Sequence, residues 1–122
     1  MVRNPAVAGQ FYSGNKEQLI AELDGMMPDT VAKIDAIAAV VPHAGYMYSG
    51  RVAGEVYARL EPKETYIILS PNHTGRGVRF ASSSDAWGTP LGEVQIDMDI
   101  LSAMTKASSL IQDDPEAHAF EH

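Results

Sequence analysis

The sequence predicts an α/β protein, and three observations carry that expectation. Two short apolar runs rich in β-branched residues, "AIAAVV" at 36–41 and "TYIILS" at 65–70, read as buried strands. Between them "SGRVAGEVYARL" at 49–60 has a helical period. A strand, a helix and a second strand make a right-handed crossover, which pairs the two strands in parallel.

Taken in order, "NKEQLIAELDGMM" after the loop at Ser13 and Gly14 spaces Leu19, Ile20, Leu23, Met26 and Met27 for one helical face. Asn15 or Ser13 is its cap, and Pro28 stops it. The strand at 36–41 follows. The helix at 49–60 starts on Ser49 and turns Val52, Val56 and Leu60 to one side. The second strand, at 65–70, is bounded by Pro62 and Pro71. "VRFASS" is a third strand, and "GTPLGEVQID" is a turn followed by a short strand. "DMDILSAMTKASS" is a helix capped by Asp97 with Ile100, Leu101 and Met104 inward. The remainder, "LIQDDPEAHAFEH", is acidic and carries no closing signal. No repeat, low-complexity segment or domain boundary interrupts the pattern, so residues 1–122 are expected to form a single α/β domain.

Composition narrows the function. With 45% hydrophobic and 20% charged residues the chain has an ordinary globular balance, and none of its apolar runs is long enough to span a bilayer. The N-terminal stretch has no apolar core of a secretory signal, so the cytoplasm is the expected location and a membrane is not an expected partner. A net charge of -7 without a cluster of Lys and Arg disfavours nucleic acid. The absence of cysteine excludes disulfides and thiolate metal sites, leaving nitrogen and oxygen donors for any metal ion.

The chemistry gathers where the strands end. In open parallel sheets ligands bind beyond the carboxyl ends of the strands. "VVPHAGYMYSG" places His43 two residues past one run, and "ILSPNHTGRG" places His73 four residues past the next. If the strands are neighbours, the two imidazoles converge on one ion. His118 and His122 are four residues apart and share a face if the tail is helical. Glu116 or Glu121 offers a carboxylate to complete a two-histidine, one-carboxylate site for non-haem Fe(II). The outward ring nitrogen of a liganding histidine calls for a carboxylate or carbonyl partner. "SPNHTGRG" also permits an anion nest built from Gly75, Gly77 and the N–H groups near Asn72 and Thr74, with Arg76 supplying charge. Tyr46 and Tyr48 are candidates to line a pocket, and Trp87 reads as a core residue.

"NPAVAGQFY", "VVPHAGYMYSG", "LSPNHTG", "WGTPLGEVQID" and the closing "EH" occur in that order across almost the whole chain. Together they resemble the Memo family, which is similar in fold to the class III, LigB-type extradiol ring-cleaving dioxygenases. The resemblance implies a three-layer α/β fold with a central, largely parallel sheet and a pocket at its strand ends. It implies that this chain corresponds to the N-terminal part of such a domain, with the fold incomplete and the third metal ligand lying outside it. On the same ground His43 and His73 match the two histidine ligands, for Fe(II) or for another divalent metal such as Cu or Zn. His122 matches a further family histidine at the pocket and is the catalytic candidate, while Tyr46 and Asn72 are pocket residues and "VAGQFY" lies against the sheet near them. A metal-dependent oxidoreductase is the leading reading. The alternatives are a non-enzymatic module for a small-molecule or phosphopeptide ligand, and an inactive fragment. An unfinished sheet would expose apolar surface and favour a homo-oligomer.

Overall fold

Helix α1 (Lys16–Met26) starts where a cap lets it start: the Asn15 side chain accepts the N–H of Gln18 at 2.9 Å, closing an otherwise orphaned donor. It belongs to a computed structural model that describes residues 1–122. The chain forms two compact units, one of Val7–Glu64 and one of Met1–Ala6 with Thr65–His122. Its class is α/β, with one mixed and one parallel sheet. No helix is long and apolar enough to cross a membrane.

In the Val7–Glu64 unit, α1 buries Leu19 and packs on helix α2 (Tyr46–Arg59). Helix α2 begins three residues before the expected Ser49. Gly45 is its cap residue, the N–H of Tyr46 is taken by the carbonyl of Phe11 at 2.7 Å, and Ser49 donates back to the carbonyl of Ala44 at 2.8 Å. The "VAGQFY" segment therefore lies on the start of α2. The buried stripe of α2 is Ser49, Gly50, Gly54 and Ala58 rather than the expected Val52, Val56 and Leu60. Small residues win this face because they let α1 approach: a Cβ at Gly54 would stand 2.5 Å from the Met26 carbonyl oxygen. Hydrophobicity alone points to the valines, but close helix packing selects for lack of volume.

In the other unit, strand β1 (Val2–Arg3) pairs in parallel with β3 (Ala86–Thr89), which turns through Pro90 and Leu91 into antiparallel β4 (Gly92–Val94). Thr89 stabilises that turn by donating its hydroxyl to the Gly92 carbonyl at 2.8 Å. Strand β2 (Ala81–Ser82) pairs in parallel with β5 (Gln112–Asp113). Between these pairs runs helix α3 (Met98–Ala107), capped as expected by Asp97, whose side chain accepts the Ile100 N–H at 3.0 Å. Ile100, Leu101 and Met104 are half-buried, on the inward face the sequence assigns them. After β5 a 3-10 turn (Pro115–His118) packs Ala117 inward. The tail is thus a built element, where its acidic composition suggested a solvated end.

The two apolar runs depart most from expectation. Residues 36–41 and 65–70 carry no strand ladder, and Ile37, Val40, Ile68 and Leu69 are exposed. β-Branched composition fits a residue for a pleated, half-buried surface, but a strand also needs a neighbour in register and a layer to cover it. Local sequence supplies neither. Parallel pairing occurs instead in the two-residue pairs β1 with β3 and β2 with β5.

Candidate metal centre

The residues around His73 are held by one carboxylate. Glu121 is 5% exposed, and its Oε2 accepts the backbone N–H of His73 at 2.7 Å and of Thr74 at 3.3 Å. Its Oε1 lies 2.6 Å from His73 Nδ1 and 3.3 Å from the N–H of His122. Burial by itself would raise this carboxyl, but the hydrogen bonds from the His73 ring and backbone, then from His122 and Thr74, outweigh it and hold the group down to about 2 from an ordinary 4.5. An ionised carboxylate only accepts, so His73 Nδ1 is the donor. A neutral ring then carries its lone pair on Nε2.

The remaining donors of this loop are also engaged within the chain. The Asn72 side chain accepts the Gly75 N–H at 2.8 Å and the Thr74 hydroxyl at 3.1 Å, and donates to the Arg76 carbonyl at 2.7 Å. The Arg76 N–H goes to the Thr74 hydroxyl, and the Arg76 guanidinium lies 4.5 Å over the Phe120 ring. The nest expected of Gly75, Gly77 and Arg76 is not formed: the N–H groups that meet an anion are those of His73 and Thr74, and the anion is the chain's own Glu121. Gly77 has a φ of +69° and its Cβ position is filled by Ala117 and Asp114, so the loop seats directly on the 3-10 turn. Asp114 completes the seat by accepting the Val78 N–H at 2.8 Å.

The terminal segment is anchored from β1. Arg3 donates Nε to the His118 carbonyl at 2.9 Å and Nη2 to the Glu121 carbonyl, and its guanidinium lies 4.4 Å over the Trp87 ring. His118 turns toward Trp87, ring centroids 5.6 Å apart, and its Nε2 is buried without a hydrogen-bond partner. His122 instead lies against His73, with ring centroids 4.3 Å apart, and its Nδ1 is 3.4 Å from Glu121. The i, i+4 pairing of His118 and His122 is therefore not formed, because the 3-10 turn ends at His118.

His43 sits on the loop that leads into α2, two residues before the Gly45 cap, and is exposed. Within the other unit His73 and His122 stand side by side as imidazole donors, their rings 4.3 Å apart over the same carboxylate. Imidazole nitrogens are donors suited to Zn, Cu or Fe. Glu116 is exposed and outside this group, and the engaged oxygens of Glu121 leave it a poor ligand.

Tyr46, the first residue of α2, lines an open hollow of about 540 Å³ with Phe11, Tyr12, Gln18, Glu22 and Met26. Its ring is 5.4 Å from that of Tyr12. Burial first, then the charges of Tyr12, Glu22 and Tyr57, push the Tyr46 phenol above its ordinary value. Glu121 as the centre of the loop is what sequence reasoning missed. It was weighed only as a ligand, and its sole signal was its place beside a family histidine.

A family model described as Memo-like protein matches residues 3–122. A MEMO1 family protein of Archaeoglobus fulgidus is 47% identical over 99% of this chain and 45% of its own length. Proteins of the same description from Aquifex aeolicus and Methanococcoides burtonii are 46% and 43% identical over 99% of this chain, each over 46% of its own length. The chain spans about half the length of the curated relatives it matches.

Proposed function

The chain belongs to the Memo-like family, and on that premise we propose that His73 and His122 hold a divalent metal ion, with His43 assigned as a ligand on the family resemblance alone, in a metal-dependent oxidoreductase related to the extradiol dioxygenases. The observation that carries this reading is the pairing of the His73 and His122 rings, 4.3 Å apart, on the single buried carboxylate of Glu121. Fe(II) is the first choice on family resemblance, with Cu or Zn as alternatives. Bound there, such an ion supplies a Lewis acid for a phenolic or carbonyl oxygen.

The chain's own residues supply the rest. Tyr46 keeps its proton through the neutral range and offers an O–H donor and a ring face to a small molecule in the hollow beside α1. Asn72 acts by shaping the loop that presents His73. In this reading His122 takes a ligand's place. The three-layer order with a largely parallel central sheet rests on the family resemblance and belongs to the same proposal.

Metal analysis of the wild type against His43→Ala, His73→Ala and His122→Ala tests the assignment. Wild type should retain near-stoichiometric metal after desalting, and each variant should lose most of it. Equal metal content in all four proteins would remove the site. Oxygen uptake by the loaded wild type on catechols separates an oxidoreductase from a pocket that binds without turnover.

A further inference from the structure

The carboxylate of Glu121 occupies a place that neither a ligand nor a surface acid would occupy. It is buried, both its oxygens are engaged, and the groups engaging them come from the two segments that carry His73 and His122. One oxygen takes the His73 ring N–H, and the other takes the backbone N–H groups of His73 and Thr74. A single side chain therefore sets both the tautomer of the His73 ring and the position of the loop beneath it. The same Oε1 lies 3.4 Å from His122 Nδ1, which directs that ring's Nδ1 edge toward the carboxylate as well. Arg3 holds the backbone of Glu121 in place through its carbonyl.

We infer that Glu121 is a positioning residue that fixes His73 as the Nδ1–H tautomer and gathers His122 beside it, so that the two rings meet a divalent cation already placed. The inference rests on the metal reading above only for its cation. The tautomer and the placement of the rings follow from contacts present before any ion arrives. A carboxylate so engaged holds the ring it accepts from in one orientation and removes the cost of choosing a tautomer when metal binds. It also withdraws Glu121 from direct ligation, so the cation meets nitrogen donors where the sequence had offered a carboxylate.

Two measurements on the full chain test this. Ring nitrogen NMR of the metal-free wild type at pH 7.5 should show His73 with a protonated, strongly hydrogen-bonded Nδ1 and an unprotonated Nε2. Glu121→Gln should return the ring to the mixture of tautomers seen for free imidazole. The reverse tautomer in the wild type overturns the inference, and this arm requires neither metal nor a variant. Titration with Co(II), followed by its visible absorption, should show affinity reduced about 10- to 100-fold by Glu121→Gln. Glu121→Gln should then cost clearly less in the His73→Ala background than in the wild type, because most of its effect passes through His73. An unchanged Co(II) affinity in Glu121→Gln, or an equal further loss in the His73→Ala background, overturns the positioning role. If wild type binds no Co(II), Zn(II) or Fe(II), the metal reading fails while the NMR result still decides the role of Glu121.

Discussion

Substituting the glycines of the two packed helices one at a time measures how closely α1 and α2 approach. Replacing a helix-interior glycine by alanine gains roughly 0.5–1 kcal/mol wherever the new methyl group meets nothing, because alanine restricts the unfolded chain and favours the helix. Gly25 on α1 is such a place, with no atom within 4 Å of its Cβ position. At Gly54 the methyl group would stand 2.5 Å from the carbonyl oxygen of Met26 and 2.9 Å from its carbonyl carbon, so backbone has to move. Overpacking of this kind costs about 1–3 kcal/mol. After the helical gain is subtracted, Gly54→Ala should lose about 1 kcal/mol, and the two variants should differ by about 2 kcal/mol. Gly50→Ala should fall between them, because the nearest group there is the flexible thioether of Met26, which can rotate away. Urea unfolding followed by far-ultraviolet circular dichroism gives all three values if the denaturant slope stays constant. A Gly54→Ala protein as stabilised as Gly25→Ala would refute the close approach of α2 to the end of α1.

Acid should weaken the unit that contains Glu121. A carboxyl held at about 2 in the folded chain, against an ordinary 4.5, contributes stability that is fully present above 4.5 and is lost as pH falls toward 2. Thermal midpoints of the wild type should drop over that window, and Glu121→Gln should flatten that part of the profile. A wild-type profile unchanged by the substitution would contradict the assignment. Arg3→Lys should cost about 2–3 kcal/mol, because an ammonium cannot reproduce two forked donations and the stacking on Trp87. Denaturant melts measure the loss, and the His122 ring resonance should broaden or move with it. A lysine variant as stable as wild type would show that the fork is dispensable.

Local signals in the sequence found the local structure. Asn15 and Asp97 were readable as caps because capping involves one side chain and an N–H a few residues away. The α/β class holds, but the strands that form are not the two apolar runs from which it was read. The two apolar runs misled because a strand depends on a neighbour in register and a covering layer, and no residue within 36–41 or 65–70 encodes either. The stripe of α2 was misread for a different reason: a hydrophobic face is scored by what residues carry, whereas Gly50, Gly54 and Ala58 pack by what they lack. At the site, motif likeness singled out His43, His73 and His122, and chemistry excluded sulfur ligands. The geometry of Glu121 could not be read, because a carboxylate beside a histidine looks the same whether it faces a metal, water or a loop 48 residues away.

Asn72 closes its own loop, spending its amide on Arg76, Gly75 and Thr74 before any outside molecule approaches. The disorder that a flexible segment would surrender on capture has therefore already been surrendered during folding. Whatever meets His73 encounters a finished surface, and its arrival should be governed by diffusion and desolvation rather than by the slow assembly of a receptor.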